Sequence, residues 1–392
     1  MKKAGGVPSI TQISNELEFG INNLNAQTLI NNSSLPLMSE VNPENVVELN
    51  ISLADNVEQL NQQLEENVNR LIDETFRLGG APYAGSSVIG DVSNIIPARY
   101  RTTCLSESCA RGFLDISSMQ IVLGISGEEF GINLINYLQT INPILLALSN
   151  SSPYVLENGS LIDTGFESRR IASYRELCRY FPNEMLRSQN LSSREHYFEI
   201  LQDISDRVNH DLRNGNLDSN NQELYREREG GAYAPFDCLN PSQLYWMTRF
   251  RPDHENETSD FSIESRVMDI PTTIQRMQML NSFVVGIALY AEAYGFNDFP
   301  RIYGDEFENL ERAASYGLDA TIFHMPVRSY VRILRDYAIE GLRLNGMDYH
   351  QMNNMIDNVL ENGNDATIMR RHNFTNPNQL VDYLITRLEE GE

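Results

Sequence analysis

The chain has 392 residues, 41% of them apolar and 21% charged, with a formal net charge of −24 at neutral pH. That apolar share is enough for a folded core, and the length allows one large domain. A chain this acidic repels nucleic acid and anionic lipid, so any phosphate it binds must meet a local basic pocket.

The N-terminal MKKAGGVPSITQIS has two lysines with no apolar run behind them, which is not a secretory signal. No stretch approaches the roughly 18 apolar residues of a membrane span. A cytoplasmic protein without nucleic-acid or membrane partners is expected. Residues 9–22, SITQISNELEFGIN, read as a strand carrying Glu16 and Glu18, and 43–52, PENVVELNIS, as a second carrying Glu44 and Glu48. In NVEQLNQQLEENVNRLIDETFRLGG, residues Val57, Leu60, Leu64, Val68, Leu71 and Phe76 recur at helical spacing until Gly79-Gly80 stops the helix. A loop-rich stretch containing APYAG follows. Residues 115–126, DISSMQIVLGIS, read as a β-branched strand, and 128–149 as an apolar helix that Pro143 kinks or breaks. Residues 205–235 are polar with a Gly-Gly pair and predict a long loop, either a lid or a surface insertion.

SIESRVMDI reads as the next strand, with Glu264, Arg266 and Met268 on one face and Ile263, Ser265 and Val267 on the other. Helices follow near 273–294, 307–318, 326–343, 348–362 and 377–389. No fixed-period repeat and no linker divides the chain, so 1–392 reads as a single domain. Strands with helices between them, then a helical C-terminal third, predict an α+β fold with an antiparallel or mixed sheet. Cys104, Cys109, Cys178 and Cys238 are scattered with no CxxC, so neither a zinc pattern nor a disulfide framework is expected. The six histidines share no spacing. A P-loop and a G-x-S-x-G elbow are absent from the sequence.

One Glu-x-Glu in a strand is more often a solvated edge than a site. Five carboxylates on three apolar strands need a common cause, because a buried carboxylate is costly unless paired or bound to metal. Oxygen ligands on a rigid sheet suit Mg²⁺ acting with ATP phosphates, and Arg266 beside Glu264 is a planar fork for phosphate or carboxylate.

Several segments, in order, resemble the second glutamate–cysteine ligase family, whose fold is related to glutamine synthetase. They are NELEF, PENVVELN, INPILLALSNSSPY (141–154), DTGFESRR (163–170), SIESRVMDIP and NLERAASYGLDA (309–320). The resemblance runs from about Ile13 to about Ala320. It implies a curved antiparallel sheet, packed by helices, with an ATP and metal site on its concave face. It implies an ATP-dependent carboxylate–amine ligase that forms an amide through an acyl phosphate, typically from glutamate and cysteine, with ATP and Mg²⁺ or Mn²⁺ as cofactors. Carried over residue by residue, Glu16, Glu18, Glu48, Gln120 and Glu264 become metal-ligand candidates, and Glu44 a weaker one. Arg266 and Glu264 become catalytic candidates, and Ser168, Arg170 and Arg251 nucleotide- or substrate-side candidates.

The chain departs from the family at two places: Val122 and Ala81 stand where many relatives carry histidine. Two other readings stay open, a ligase of the same fold with a different amine acceptor and a non-catalytic nucleotide-binding homologue. The oligomeric state, a homo-oligomer included, is not legible.

Overall fold

Alternation in the first strand decides which way the sheet faces. In β1 (Ile10–Asn22) the side chains of Ile13, Asn15, Leu17 and Phe19 are buried, while Ser14, Glu16 and Glu18 on the other face are partly exposed. The computed structural model describes residues 9–39, 44–87, 116–157, 159–177, 190–213, 247–251, 261–300, 302 and 304–391. All four cysteines, Trp246 and the stretch 214–246 lie outside those residues.

The main sheet runs β2 (Leu37–Ser39), β3 (Val46–Ala54), β1, β5 (Met119–Ile125), β9 (Phe261–Ser265), β8 (Thr248–Arg251), with every neighbouring pair antiparallel. A short strand β4 (Ala81–Tyr83) also pairs with the end of β1. Two hairpins stand apart: β6–β7 (Tyr154–Glu157, Ser160–Asp163) and β10–β11 (Thr321–Ile322, Met325–Pro326).

Helices cover the apolar face. α1 (Ala26–Asn32) follows β1. α2 (Val57–Arg77) starts at Asn56, whose side chain accepts from the backbone N–H of Gln59, and buries Val57, Leu60, Leu64, Val68 and Leu71. Phe76, expected in that stripe, is 46% exposed, and Thr75 is buried in its place. α3 (Glu128–Ser149) lies over β9, its Gly131 backbone against the Phe261 ring. α4 (Arg169–Leu177) and α5 (Arg194–Arg213) precede β8.

α6 (Ile274–Tyr294) is apolar on nearly every side and is the buried centre of the helical layer. α7 (Glu306–Tyr316), α8 (Val327–Leu344), α9 (His350–Asn362), α10 (Asp365–His372) and α11 (Pro377–Glu390) complete it. α8 crosses α6 at Gly286 and Gly341 with backbones touching. A Cβ on Gly341 would sit 2.0 Å from the Gly286 carbonyl oxygen, and one on Gly286 would sit 2.5 Å from that of Ala338. Beneath β1, Asn15 and Asn281 exchange two hydrogen bonds of 2.9 Å, and Asn281 also donates to Asn61 at 3.0 Å. That buried amide ladder ties the sheet to α6 and α2.

The antiparallel α+β class and the helical C-terminal third match the expectation. Several local expectations are corrected. Pro143 does not break α3, which runs from Glu128 to Ser149 with most of both halves buried. Residues 205–213 are helix rather than loop, continuing α5 to Arg213, and the rest of 205–235 lies outside the described residues. APYAG contains β4, and DTGFESRR runs into the first turn of α4. Glu44 lies in the turn before β3 rather than on a strand face.

The SIESRVMDI strand ends at Ser265. Ile121 pairs with Ser265 and Ser118 bridges to Asp269, so three residues, 266–268, stand opposite two, 119–120. That is a bulge of one residue, which turns the chain and re-aims a side chain. Met268 and Val267 therefore both enter the core, and strict alternation fails beyond Ser265.

Candidate active site

Residues directly opposite in an antiparallel sheet share a face, so the register writes out the polar face row by row. One row joins Met38, Glu48 and Glu18. The next joins Asn50, Glu16 and Gln120. The third runs Ser14, Val122, Glu264 and Arg249, and the fourth Gln12, Gly124, Ser262 and Arg251. Four of the candidate carboxylates and Gln120 are thus brought onto one surface, opposite the helices. The side chain of Arg251 reaches Glu16. Three inter-strand spacings of about 4.8 Å each separate β8 from β1, so this contact closes only if the polar face is the inner side of a curled sheet.

The face is divided by charge. At the β3–β1 side, Glu18 and Glu48 are direct neighbours. Asn50 donates to Glu48 at 2.9 Å and Gln120 to Glu18 at 3.4 Å. The Glu18 acid is pushed up to about 7, first by burial and then by the charge of Glu48, while Arg170, a hydrogen bond with Ser118 and Arg266 pull the other way. The carbonyl oxygen of the buried Gln120 amide has no hydrogen-bond partner.

At the β9–β8 side, Glu264 is fully buried among three guanidiniums. Arg249 Nε donates to its Oε2 at 2.6 Å, Arg251 Nε lies 3.6 Å from the same oxygen, and Arg266 Nε lies 3.3 Å from Oε1. Burial acts to raise the Glu264 acid, but Arg266, Arg249 and Arg251 outweigh it and hold it below the ordinary carboxylate value. Val122, 3% exposed, stands beside Glu264 where the sequence comparison expected histidine. Ala81, the other such position, pairs with Asn22 at the start of β4.

Ser168 and Arg170 lie behind the bulge. Arg170 donates to the carbonyl oxygens of Val267 at 2.9 Å, Met268 at 3.3 Å and Arg266 at 2.5 Å, and stands 3.7 Å from Asp269. Asp269 is fully buried and accepts from Ser168 Oγ at 2.9 Å, Ser152 Oγ at 2.8 Å and the Ser151 backbone N–H at 3.1 Å. LALSNSSP, DTGFESRR and VMDIP therefore interlock through one carboxylate, and the lock fixes the segment that carries Arg266.

Arg249, Asn50 and Tyr83 belong to this face and were not among the sequence candidates. Arg249 was signalled by the Arg-x-Arg alternation of TRFR. Tyr83 was not, since its ring covers Gly20 only because β4 pairs there: a Cβ on Gly20 would lie 2.2 Å from the ring.

Among the described residues no three His, Cys, Asp or Glu side chains are grouped to hold a metal ion. Glu18, Glu48 and the Gln120 carbonyl offer two carboxylates and one amide oxygen instead. All-oxygen donors, two neighbouring carboxylates among them, and an unpartnered buried amide oxygen fit a hard divalent cation.

The model of glutamate–cysteine ligase family 2 matches residues 14–325. The protein named "Putative glutamate–cysteine ligase 2" from Leptothrix cholodnii is 26% identical over 270 residues, 66% of this chain and 59% of that protein. The chain thus spans under two thirds of the length of that relative. Among solved structures, the glutamate–cysteine ligase of Francisella tularensis in complex with AMP superposes with a TM-score of 0.62 at 11% identity, covering 98% of this chain and 89% of that one. A bifunctional glutathione synthetase from Pasteurella multocida gives 0.55 at 12% identity, covering 98% and 53%. At such identities the two structures bear on the fold alone. Among the described residues no helix is long and apolar enough to cross a membrane.

Proposed function

The chain belongs to glutamate–cysteine ligase family 2, and from that premise we propose that it is an ATP-dependent carboxylate–amine ligase. Its donor is glutamate, reacting through the γ-carboxylate, and its acceptor is the amine of an amino acid, cysteine in the first place. The observation that carries this is the division of one sheet face into a carboxylate half and an arginine half. Phosphoryl transfer to a carboxylate needs both: a place for the cation that accompanies a nucleotide, and fixed positive charge for transferring and attacking oxyanions.

Glu18, Glu48 and Gln120 would hold the divalent cation. When bound, it neutralises phosphate charge and orients the nucleotide. Arg266, Arg251 and Arg249 orient the donor carboxylate and the γ-phosphate in line, as planar forks do. A carboxylate oxygen attacks the γ-phosphorus, the bond to the bridging oxygen breaks, and ADP leaves. The acceptor amine then attacks the acyl carbon, inorganic phosphate departs, and the amine proton passes to solvent. Activation is needed because a carboxylate oxygen is otherwise a poor leaving group. The brace from Arg170 and Asp269 keeps Arg266 in place between the two steps.

Hydroxylamine tests the reading. With ATP, Mg²⁺ and glutamate but no amino-acid acceptor, the enzyme should release ADP and accumulate a hydroxamate. ADP and amide from a working substrate pair without any donor-dependent hydroxamate would remove the acyl phosphate. Release of AMP and pyrophosphate would make the route an adenylation.

A further inference from the structure

The buried face of β1 reads Ile13, Asn15, Leu17, Phe19, Ile21, with one polar residue among apolar ones. Asn15 uses the whole of its amide. Its Nδ2 donates to Asn281 Oδ1 at 2.9 Å and to the Gln120 carbonyl oxygen at 3.2 Å, and its Oδ1 accepts from Asn281 Nδ2 at 2.9 Å. Both residues are buried. An apolar pair of similar size would need no partners there, so stability alone does not call for these amides. What they supply is a mark. Apolar alternation forbids a shift of one residue, which would turn Glu16 and Glu18 into the core, but it does not distinguish a shift of two. A buried amide pair does, because a shifted strand would leave each amide without the other.

The mark stands where the pairing is least regular. Between Ile13 and Asn15, three steps of β3, from Ile51 to Ala54, match two of β1, a bulge that leaves Ser52 and Leu53 both exposed. A second irregularity lies between Ile10 and Gln12, opposite β5. Asn15 is the first residue paired with β3 past the bulge, and Glu16 follows it. At the far end of the strand Gly20 sits under the Tyr83 ring, which sets β1 against β4.

We propose that Asn15 and Asn281 are positioning residues of the cation site. They stop the bulge from running into Glu16. Through the Gln120 carbonyl they also hold the residue whose side-chain amide faces Glu18. This rests on reading Glu18, Glu48 and Gln120 as the ligands of the cation, and one of its two measurements does not depend on that reading.

The test is the double variant Asn15→Leu with Asn281→Leu, made in the full chain. Asn61, half-buried, keeps its bond to Ser282 Oγ. The variant should unfold in urea with a midpoint close to that of the parent or above it. Mn²⁺ alone, titrated by electron paramagnetic resonance, should bind about tenfold or more weakly, the usual loss when the support of a ligand is removed. Ile51 and Ile121 both stand opposite residue 15. Their methyl signals, single in isoleucine-labelled parent, should split in the variant as more than one register is populated.

Unchanged Mn²⁺ affinity with single signals would overturn the proposal. So would either effect without the other, because the proposal joins them. A midpoint that falls steeply together with the affinity would make the pair an ordinary core contact and overturn it too. If the parent binds no Mn²⁺, the reading of the cation site fails, and the isoleucine signals alone decide the register: split signals support the mark and single ones refute it. If the double variant does not fold, Asn281→Ala, which removes the partner that marks the register, is judged by the same signals and the same titration.

Discussion

Glu18→Gln should stabilise the metal-free protein, and by an amount that grows with pH. In the folded chain the Glu18 acid is pushed up to about 7 from an ordinary 4.5. Between those two values the folded chain holds a proton that the unfolded chain has already lost. Stability therefore falls as pH rises through this window and is lowest above it. The whole gap corresponds to about 3 kcal/mol. Glutamine carries no charge at any pH, so the variant escapes the penalty. Its advantage over the parent should widen by about 2 kcal/mol between about pH 5.5 and about pH 8. Paired urea titrations in chelator measure this, with the difference between the two proteins cancelling every other titrating group.

Mn²⁺ should reverse the ranking, because the parent alone keeps both carboxylates. Below about pH 7 the cation must displace the Glu18 proton, so parental affinity should fall by nearly tenfold per pH unit. A constant offset between the proteins from low to high pH would refute the reasoning. So would a variant whose advantage shrinks as pH rises, since either means that Glu18 does not titrate abnormally beside Glu48.

Gly286→Ala should cost about 3 kcal/mol or more and lower the thermal midpoint, because its Cβ would meet the Ala338 carbonyl at 2.5 Å. Asp269→Ala should destabilise by about 3–5 kcal/mol in denaturant titrations, since it strands the buried Arg170, the Ser152 and Ser168 hydroxyls and the Ser151 backbone N–H. Phe323 and His324 form the tip of the β10–β11 hairpin with φ of 43° and 68°, which bulky residues adopt at a cost. The double change Phe323→Asn with His324→Gly should therefore raise stability by about 1 kcal/mol or more, read by the same titrations.

Much of this was legible because it was periodic or because it alternated. The α2 stripe from Val57 to Leu71, the apolar α6 and the Glu16–Glu18 alternation each state their element directly. What the sequence hid depended on partners far along the chain. Glu264 and Arg266 look like neighbours on one strand and do meet, at 3.3 Å, but the bulge opposite residues 119–120 takes Met268 off that face into the core, and only the register with β5 reveals it. Arg251 and Glu16 are 235 positions apart and meet through the curl of the sheet. Ser168 and Arg170 carried a motif, but a motif does not say whether a guanidinium faces the cleft or, as here, donates to the backbone of 266–268. Short elements such as β4 and α10 lack the length for a periodic signal and are set by the tertiary contacts of Tyr83 and Met369.

The central claim is that a carboxylate oxygen attacks the γ-phosphorus of ATP on this face. Glutamate labelled with heavy oxygen in its γ-carboxylate, incubated with ATP, Mg²⁺ and cysteine, tests it directly when the released phosphate is examined by phosphorus NMR. The account predicts ADP, amide and one labelled oxygen in each inorganic phosphate formed. Label in AMP, or amide formed with unlabelled phosphate, would contradict it.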